Sequence, residues 1–177
     1  MGVKGVPKQS LDRSLDLELR GRGRHAVYRR LALGVLGLVV LAALLGAFGQ
    51  ESTQTVDSGQ RAVLSVDAPA ELRGGLLFQA RFEVHAKRRL AHPDLVLSPG
   101  WLHGMTLNTV APTPVSESSS AGGLTMSFEA LPAGQTLVVW TDWQVNPTNV
   151  GRRDEDVALF DGAQPLASAQ RTVTVFP

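Results

Sequence analysis

The stretch Leu76–Val84, "LLFQARFEV", alternates apolar and polar side chains with a period of two residues. Successive side chains of a β-strand point to opposite faces, so this alternation predicts a strand with one buried face. The stretch Leu124–Ala130, "LTMSFEA", repeats the pattern. In the first stretch the predicted core face comprises Leu76, Phe78, Ala80, Phe82 and Val84, and the outer face comprises Gln79, Arg81 and Glu83.

Short segments of the same kind recur through residues 61–177, separated by turns rich in glycine and proline. "RAVLSV", "DLVLS", "MTLNTV", "TLVVWTDWQV", "VALF" and "SAQRTVTVF" complete the set. No long helical period interrupts them. Regularly spaced strands with turn signals between them predict an all-β domain over 61–177, an antiparallel β-sandwich.

An apolar run precedes this domain, "LALGVLGLVVLAALLGAF" at Leu31–Phe48, without a charged residue. As a helix it would be about 27 Å long, close to the ~30 Å hydrocarbon core of a bilayer. We therefore predict a single transmembrane helix over 31–49 and a linker over 50–60. A buried helix of a soluble core and a cleaved signal peptide are the alternatives, but the run exceeds the 7–15 apolar residues typical of signal peptides.

The charges beside the run predict its orientation. Arg29 and Arg30 abut it on the amino-terminal side, and the next basic residue on the other side is Arg61. The positive-inside rule then predicts a cytoplasmic, largely disordered basic tail over 1–30 and an extracytoplasmic domain, in the inner membrane. The small-residue pair Ala42 and Gly46 would also allow weak self-association of the helix within the bilayer.

Composition excludes several classes of function. The 17 basic residues nearly balance the 16 acidic ones, which argues against a nucleic-acid partner. The chain contains no cysteine, which excludes disulfides, thiolate nucleophiles and Cys-ligated metals.

Two clusters of polar residues deserve comparison with metal sites. His85, His92 and His103 occur at spacings that match no zinc motif, so we expect ordinary surface histidines. The carboxylates Asp154, Glu155, Asp156 and Asp161 could supply oxygen ligands for calcium, but neighbouring arginines favour a solvated loop. We expect no metal, no cofactor and no catalytic residue.

The tryptophans supply the candidate binding residues. Alternation in "TLVVWTDWQV" assigns Trp143 to the core face and leaves Trp140 on the outer face with Asp142. Trp101 follows "SPG" and could lie at a loop tip or close one end of the sandwich. Exposed tryptophan can stack on a sugar or anchor a protein, so Trp101, Trp140 and Asp142 are the predicted binding residues; burial of all three tryptophans is the alternative.

Three short motifs carry a resemblance: "LPAGQT" before a long apolar strand, the "LFDG" hairpin and a last strand that ends in "VFP". With these, residues 61–177 resemble the immunoglobulin-like modules of CARDB or fibronectin-III type that bacteria display outside the membrane. The whole chain is similar to single-pass membrane proteins of high-GC bacteria. The resemblance implies no chemistry.

The expected function is therefore a membrane-anchored, non-enzymatic interaction module, serving as an accessory subunit of a membrane or envelope assembly. Its partners would be the lipid bilayer and a membrane or cell-envelope protein. A cell-wall glycan-binding module that uses exposed tryptophan is the alternative, and a metal-dependent enzyme using the histidines is the third possibility.

Overall fold

The computed structural model of the chain describes residues 26–42, 44–45, 51–121 and 123–177. The chain divides into two compact units, Met1–Gly49 and Gln50–Pro177. We refer to the second unit as the β-domain.

In the first unit, helix α1 covers residues 26–42, and its large apolar side chains are exposed. The helix begins upstream of the predicted start at residue 31 and includes Arg29 and Arg30. Arginine has a high helix propensity, which favours this extension. None of the helices in the described residues combines the length and the apolarity that a bilayer crossing requires. The rest of the predicted 31–49 segment, namely residues 43 and 46–49, lies outside the described residues, as does most of the tail, residues 1–25.

The β-domain consists mostly of antiparallel strands, in agreement with the predicted all-β class. A four-residue helix, α2, follows β5. The strands and this helix are β1 (Ser52–Ser58), β2 (Ala62–Pro69), β3 (Glu71–Arg73), β4 (Leu77–Ala86), β5 (Pro93–Leu97), α2 (Pro99–Leu102), β6 (Met105–Ala111), β7 (Ser116–Ser120), β8 (Gly123–Ser127), β9 (Thr136–Val145), β10 (Gly151–Asp154), β11 (Val157–Asp161), β12 (Gln164–Ala169) and β13 (Thr172–Phe176).

Three sheets form from these strands. Sheet 1 has the order β1-β2-β4-β9-β6 and sheet 2 has the order β12-β11-β5-β8-β7. Sheet 3 is smaller, with the order β10-β13-β3, and its β13–β3 pair is parallel. The buried faces of both five-stranded sheets contribute to one hydrophobic cluster, so the core lies between them.

The alternation of β4 is as predicted for four of its core residues. Phe78, Ala80, Phe82 and Val84 are buried, because even-numbered side chains of this strand point into the core. Leu76 is the exception: it precedes the strand and is 46% exposed. The preceding Gly75 has φ 83°, and this left-handed turn leaves Leu76 outside the alternating register.

The segment predicted as a linker, 50–60, is instead largely strand. Residues Ser52–Ser58 form β1, which pairs with β2 from Ser52 opposite Pro69 to Ser58 opposite Val63. Its sequence has no apolar face because β1 is an edge strand and covers little of the core. The structure therefore has a strand over most of the predicted linker, and the first strand of the β-domain begins at Ser52, nine residues before residue 61.

Strand β7 is an edge strand of sheet 2. All five of its residues are exposed, and it pairs only with β8 among the described strands. Glu117 lies opposite the buried Met126, so it projects on the side of the sheet that faces the core. A charge in that position discourages another strand from extending the sheet.

Aromatic side chains fill the centre of the core. The ring centroid of Trp101, in α2, lies 5.4 Å from that of Phe82 and 5.4 Å from that of Trp143. The indole N–H of Trp143 donates a hydrogen bond of 2.7 Å to the hydroxyl of Thr141, which itself lies 3.4 Å from the carbonyl of Ala80. Thr141 is thus the polar residue that satisfies a buried indole within an apolar core.

We expect Thr141→Val to destabilise the β-domain by about 1–3 kcal/mol, because the indole N–H of Trp143 would lose its buried acceptor. Denaturant unfolding followed by tryptophan fluorescence measures the change. Thr125→Val, at a half-buried position on the outer face of β8, is the matched control and should stay within about 0.5 kcal/mol of the parent. Equal effects of the two substitutions would contradict this role of Thr141.

Candidate interaction surface

The outer face of sheet 1 is the candidate functional surface. Strand pairing arranges its side chains in rows that run across the sheet. The central row joins Gln54, Asp67, Arg81, Trp140 and Ala111, one from each strand. Neighbouring rows contain Gln79, Asp142 and Thr109 on one side, and Val56, Ser65, Glu83 and Val138 on the other.

Trp140 lies in the middle of this face and is 42% exposed, as the alternation of β9 predicts. The Arg81 guanidinium is 5.5 Å from the centroid of the indole, a cation–π contact that covers part of the ring. Arg81 also forms an ion pair of 2.6 Å with Glu83. These contacts restrict the orientation of the indole before any partner is present.

Asp142 is held in place beside Trp140 by two hydrogen bonds. The hydroxyl of Thr109 donates to its carboxylate at 2.5 Å, and the side-chain amide of Gln79 donates at 3.0 Å. The bond from Thr109, followed by that from Gln79, lowers the pKa of Asp142 below its ordinary value of 3.8. The carboxylate is therefore a fixed negative charge at neutral pH.

The outer face carries more negative than positive charge. Asp67, Glu83 and Asp142 project from it, whereas Arg81 is its arginine. The formal charge of this group of four is −2, the sum of three carboxylates and one guanidinium. Five strands at ~4.8 Å spacing make the face about 24 Å wide, and the ten residues of β4 make it about 33 Å long. Its area of about 800 Å² is close to the area that one partner buries in a standard interface.

Trp101 does not belong to this surface. Its exposed fraction is 0%, and it packs on Phe82 and Trp143 as described above, so it offers no platform to a sugar or a protein. The prediction of Trp101 as a binding residue is corrected on this point. Pro99 starts α2 directly after β5, and this short helix carries the indole of Trp101 into the centre of the core.

A buried ion pair lies against Trp101. The Arg171 guanidinium is 5.3 Å from the centroid of the Trp101 indole, and its Nη1 is 3.3 Å from Oε2 of Glu155. Its Nη2 donates hydrogen bonds to the carbonyls of Ala68 at 2.9 Å and Pro69 at 2.7 Å. No described residue donates a hydrogen bond to either carboxylate oxygen of Glu155, although Glu155 is fully buried. Arg171 thus links β2, α2 and the start of β13.

The carboxylates of the predicted acidic loop separate rather than converge. Glu155 enters the core, whereas Asp154 accepts a hydrogen bond from the hydroxyl of Thr172. Asp161 accepts hydrogen bonds from the backbone N–H groups of Ala91 and His92 and pairs with Arg61 at 2.7 Å. Burial raises the pKa of Asp161, but these bonds lower it more, so the net shift is downward. Asp156 accepts a hydrogen bond of 3.2 Å from the backbone N–H of Arg171, so each of the four carboxylates has a structural role.

The three histidines do not form a site together. His85 lies on the outer face of sheet 1 and shares a 2.9 Å hydrogen bond with Thr136. His92 lies in the β4–β5 connection beside Asp161, and His103 follows α2 at the other end of β5. Within the described part of the chain, no group of three His, Cys, Asp or Glu residues has the arrangement of a metal site.

Two open clefts flank β10, and neither gathers a reactive set. One, of about 420 Å³, includes His103, Arg152 and Arg153 among its lining residues. Arg153 is occupied there, because it donates hydrogen bonds to the carbonyl of His103 and to Oδ1 of Asn149. The other, of about 440 Å³, is lined by Asp154, Asp156, Gln170, Arg171 and Thr172.

Sequence reasoning missed half of the candidate surface. Gln54 and Asp67 share the central row with Trp140, and Thr109 holds Asp142, yet none of the three was predicted. β6 contains a register shift between Leu107 and Thr109, which breaks the simple alternation that could have placed Thr109 on the outer face.

No protein-family profile and no curated protein sequence matches the chain. Among solved structures, CaCohA2 from Clostridium acetobutylicum is similar over 66% of this chain and 92% of that chain, at 12% identity and a TM-score of 0.45. A non-cellulosomal cohesin from the hyperthermophilic archaeon Archaeoglobus fulgidus is similar over 72% of this chain and 92% of that chain, at 12% identity and a TM-score of 0.40. Both scores are low, and these matches do not extend to CARDB, fibronectin-III or high-GC membrane proteins, so that resemblance stays a prediction.

The buried Glu155 gives the β-domain a specific pH dependence. Burial raises the pKa of its carboxyl from 4.5 to about 7, although Arg171 and Arg153 lower it. The folded chain therefore binds this proton more tightly than the unfolded chain does. The free energy of unfolding should fall as pH rises from about 4.5 to about 7, by up to ~3 kcal/mol for the full shift.

Glu155→Gln should remove most of this slope, because glutamine cannot titrate. Denaturant unfolding across the same pH window measures it, and Glu129→Gln, at an exposed position, is the matched control. If the free energy of unfolding of Glu155→Gln still falls with pH as steeply as that of the parent, another group is responsible.

Proposed function

We propose that the protein is a membrane-anchored, non-enzymatic module whose immunoglobulin-like β-domain lies outside the cytoplasm and binds a protein partner on the outer face of sheet 1. The observation that carries this proposal is the exposed Trp140, held by Arg81 at the centre of an open sheet. The partner is a membrane or cell-envelope protein with an apolar pocket for the indole and basic residues around it.

The composition of the face favours a protein partner. Tryptophan and arginine are the side chains most enriched where protein interfaces concentrate their binding energy, and such residues lie near the centre of the contact. Trp140 and Arg81 occupy that position here, surrounded by polar side chains that are already hydrogen-bonded across the strands. Because the hydrogen bonds and the ion pair exist beforehand, little side-chain entropy is lost on binding.

The negative charge of the face complements a basic partner. Asp67, Glu83 and Asp142 surround the Trp140–Arg81 pair, so a partner that brings Lys or Arg side chains to the rim would be attracted from a distance. This selects among partners and accelerates association, while the indole supplies most of the affinity.

The apolar segment and its flanking arginines support the anchoring part of the proposal. Leu31–Phe48 is long enough to cross a bilayer, and Arg29 and Arg30 retain the amino-terminal side in the cytoplasm by the positive-inside rule. The β-domain would then act as an accessory subunit of an inner-membrane or envelope assembly, with its partner in the same membrane or in the wall above it.

A glycan is the second candidate ligand, because Trp140 shares its face of β9 with Asp142 and Gln144, which can bind sugar hydroxyls. Sugar stacking needs a free face of the indole, and Arg81 covers part of one face. This contact favours the protein partner over the glycan.

Photo-cross-linking in cells tests the docking surface. A photoreactive amino acid at Gln144 should give one adduct of defined mass, and Trp140→Ala should abolish it while Val115→Ala, another exposed apolar position, leaves it intact. With the purified partner, Trp140→Ala should raise the Kd roughly thirtyfold, the effect of losing about 2 kcal/mol at a hot spot. The same reagent at Ser118, on β7 of sheet 2, should give no such adduct; an adduct insensitive to Trp140→Ala would contradict the proposal.

Arg81→Ala distinguishes the two candidate ligands. If the ligand is a protein, the substitution removes a central arginine of the interface and should weaken binding. If the ligand is a glycan, the substitution frees a face of the Trp140 indole and should not weaken binding. Retention of the intact protein on cell-wall polysaccharide, measured for the parent and for Arg81→Ala, gives the comparison. Retention that persists in Arg81→Ala and is lost in Trp140→Ala would favour the glycan.

Membrane fractionation tests the anchor. Alkaline carbonate should leave the full chain in the membrane pellet, and protease added to intact spheroplasts should digest the β-domain. Arg29→Glu combined with Arg30→Glu should reduce that digestion, because it removes the charges that orient the helix. Release by carbonate would contradict the anchor, and a β-domain that is digested only after lysis would contradict the orientation.

A further inference from the structure

Large apolar side chains concentrate at one end of the β-domain. Among its described residues seven such side chains are exposed: Val56, Leu76, Leu77, Val115, Trp140, Val150 and Phe176. Four of the seven, Leu76, Leu77, Val150 and Phe176, lie at the same end, with exposed fractions of 46%, 64%, 53% and 45%. We call these four the apolar tip.

Backbone pairing places these residues together. The N–H of Gly74 donates to the carbonyl of Phe176 at 2.9 Å, two residues before Leu76. The N–H of Val145 donates to the carbonyl of Leu76 at 3.0 Å, at the end of β9. Val150 immediately precedes Gly151, which pairs with Val175, so it reaches the row of Phe176. The tip is thus formed by the β3–β4 turn, the β9–β10 loop and the last strand.

The chain reaches the β-domain from the apolar segment at this same end. β1 begins at Ser52 opposite Pro69, and β2 and β4 pair with Asp67 opposite Arg81. Ser52 is therefore roughly 7 Å from the level of Leu77 along the strands and ~10 Å from it across two strands. Only three residues, Gly49–Glu51, separate Ser52 from Phe48, and the four steps between them span at most about 14 Å.

The charge at the tip suits a lipid surface. Arg73 is exposed and pairs directly with Phe176, whereas Glu71 lies two residues behind it in the row of Thr174. Aromatic and aliphatic side chains with an adjacent arginine are the composition that occupies the boundary between acyl chains and headgroups, where the guanidinium meets phosphate.

We propose that the β-domain contacts the outer leaflet through Leu76, Leu77, Val150 and Phe176, with Arg73 at the phosphates. This contact rests on the proposed membrane anchor, which holds Ser52 within about 14 Å of the end of the apolar run. It also fixes the orientation of sheet 1: its strands rise from the bilayer, and the face around Trp140 points sideways, toward neighbours in the same membrane.

Site-directed fluorescence in lipid tests this contact. The chain has no cysteine, so the full protein can carry a single bimane at Leu77→Cys, Phe176→Cys, Gln135→Cys or Leu38→Cys. Gln135 lies in the β8–β9 turn at the opposite end and is the matched control. The protein is reconstituted in vesicles of phosphatidylcholine and phosphatidylglycerol containing lipids spin-labelled at the headgroup or along the acyl chain.

Bimane at residues 77 and 176 should lose most of its emission to headgroup-level spin labels, while bimane at residue 135 should keep its emission. Equal emission at 77 and 135 overturns the contact whatever the Leu38 reporter does. Quenching at Leu38 by acyl-chain labels reports the anchor separately, so its loss would count against the proposed function instead. Efficient disulfide dimerisation of Leu77→Cys without lipid quenching would assign the tip to a second copy of the chain and also overturn the inference.

Discussion

The packing of Trp101 between Phe82 and Trp143 is the contact on which the rest of the β-domain depends. It joins the short helix α2 to the centre of sheet 1, and the Arg171 guanidinium lies 5.3 Å from the centroid of the same indole. Arg171 in turn binds the end of β2 through two carbonyls and pairs with the buried Glu155. The apolar core and the buried charge therefore stabilise each other, since neither ring nor ion pair reaches water.

This core packs against only one face of sheet 1, so the other face remains accessible. Burial alternates strictly along β4 and β9. The strands therefore place Phe82 and Trp143 in the core and Arg81 and Trp140 on the opposite face. A shift of the strand register by one residue would turn the apolar side chains outward and the polar ones into the core, which would strongly destabilise the fold. The geometry of the candidate surface is thus determined by the packing beneath it, and its side chains are further fixed by contacts along the face.

Much of this arrangement could be predicted from sequence, for reasons that particular residues make clear. The alternation of β4 and β9 indicated the all-β class and placed Trp143 inside and Trp140 outside. Trp101 follows a proline-containing turn, where no periodicity applies, so its burial could be decided only by three-dimensional packing. β1 could not be predicted from the sequence, because an edge strand with polar residues on both faces lacks the apolar signal. The partners of Asp142 come from other strands, and pairing between distant strands is not encoded in local pattern.

The edge strand β7 has a consequence for how the protein tolerates crowding. Its five exposed residues offer free backbone groups, yet Glu117 points to the core side of the sheet, where a second strand would have to bury it. A second copy of the β-domain therefore cannot extend sheet 2 at β7 without burying that carboxylate, so crowded copies do not join through this edge.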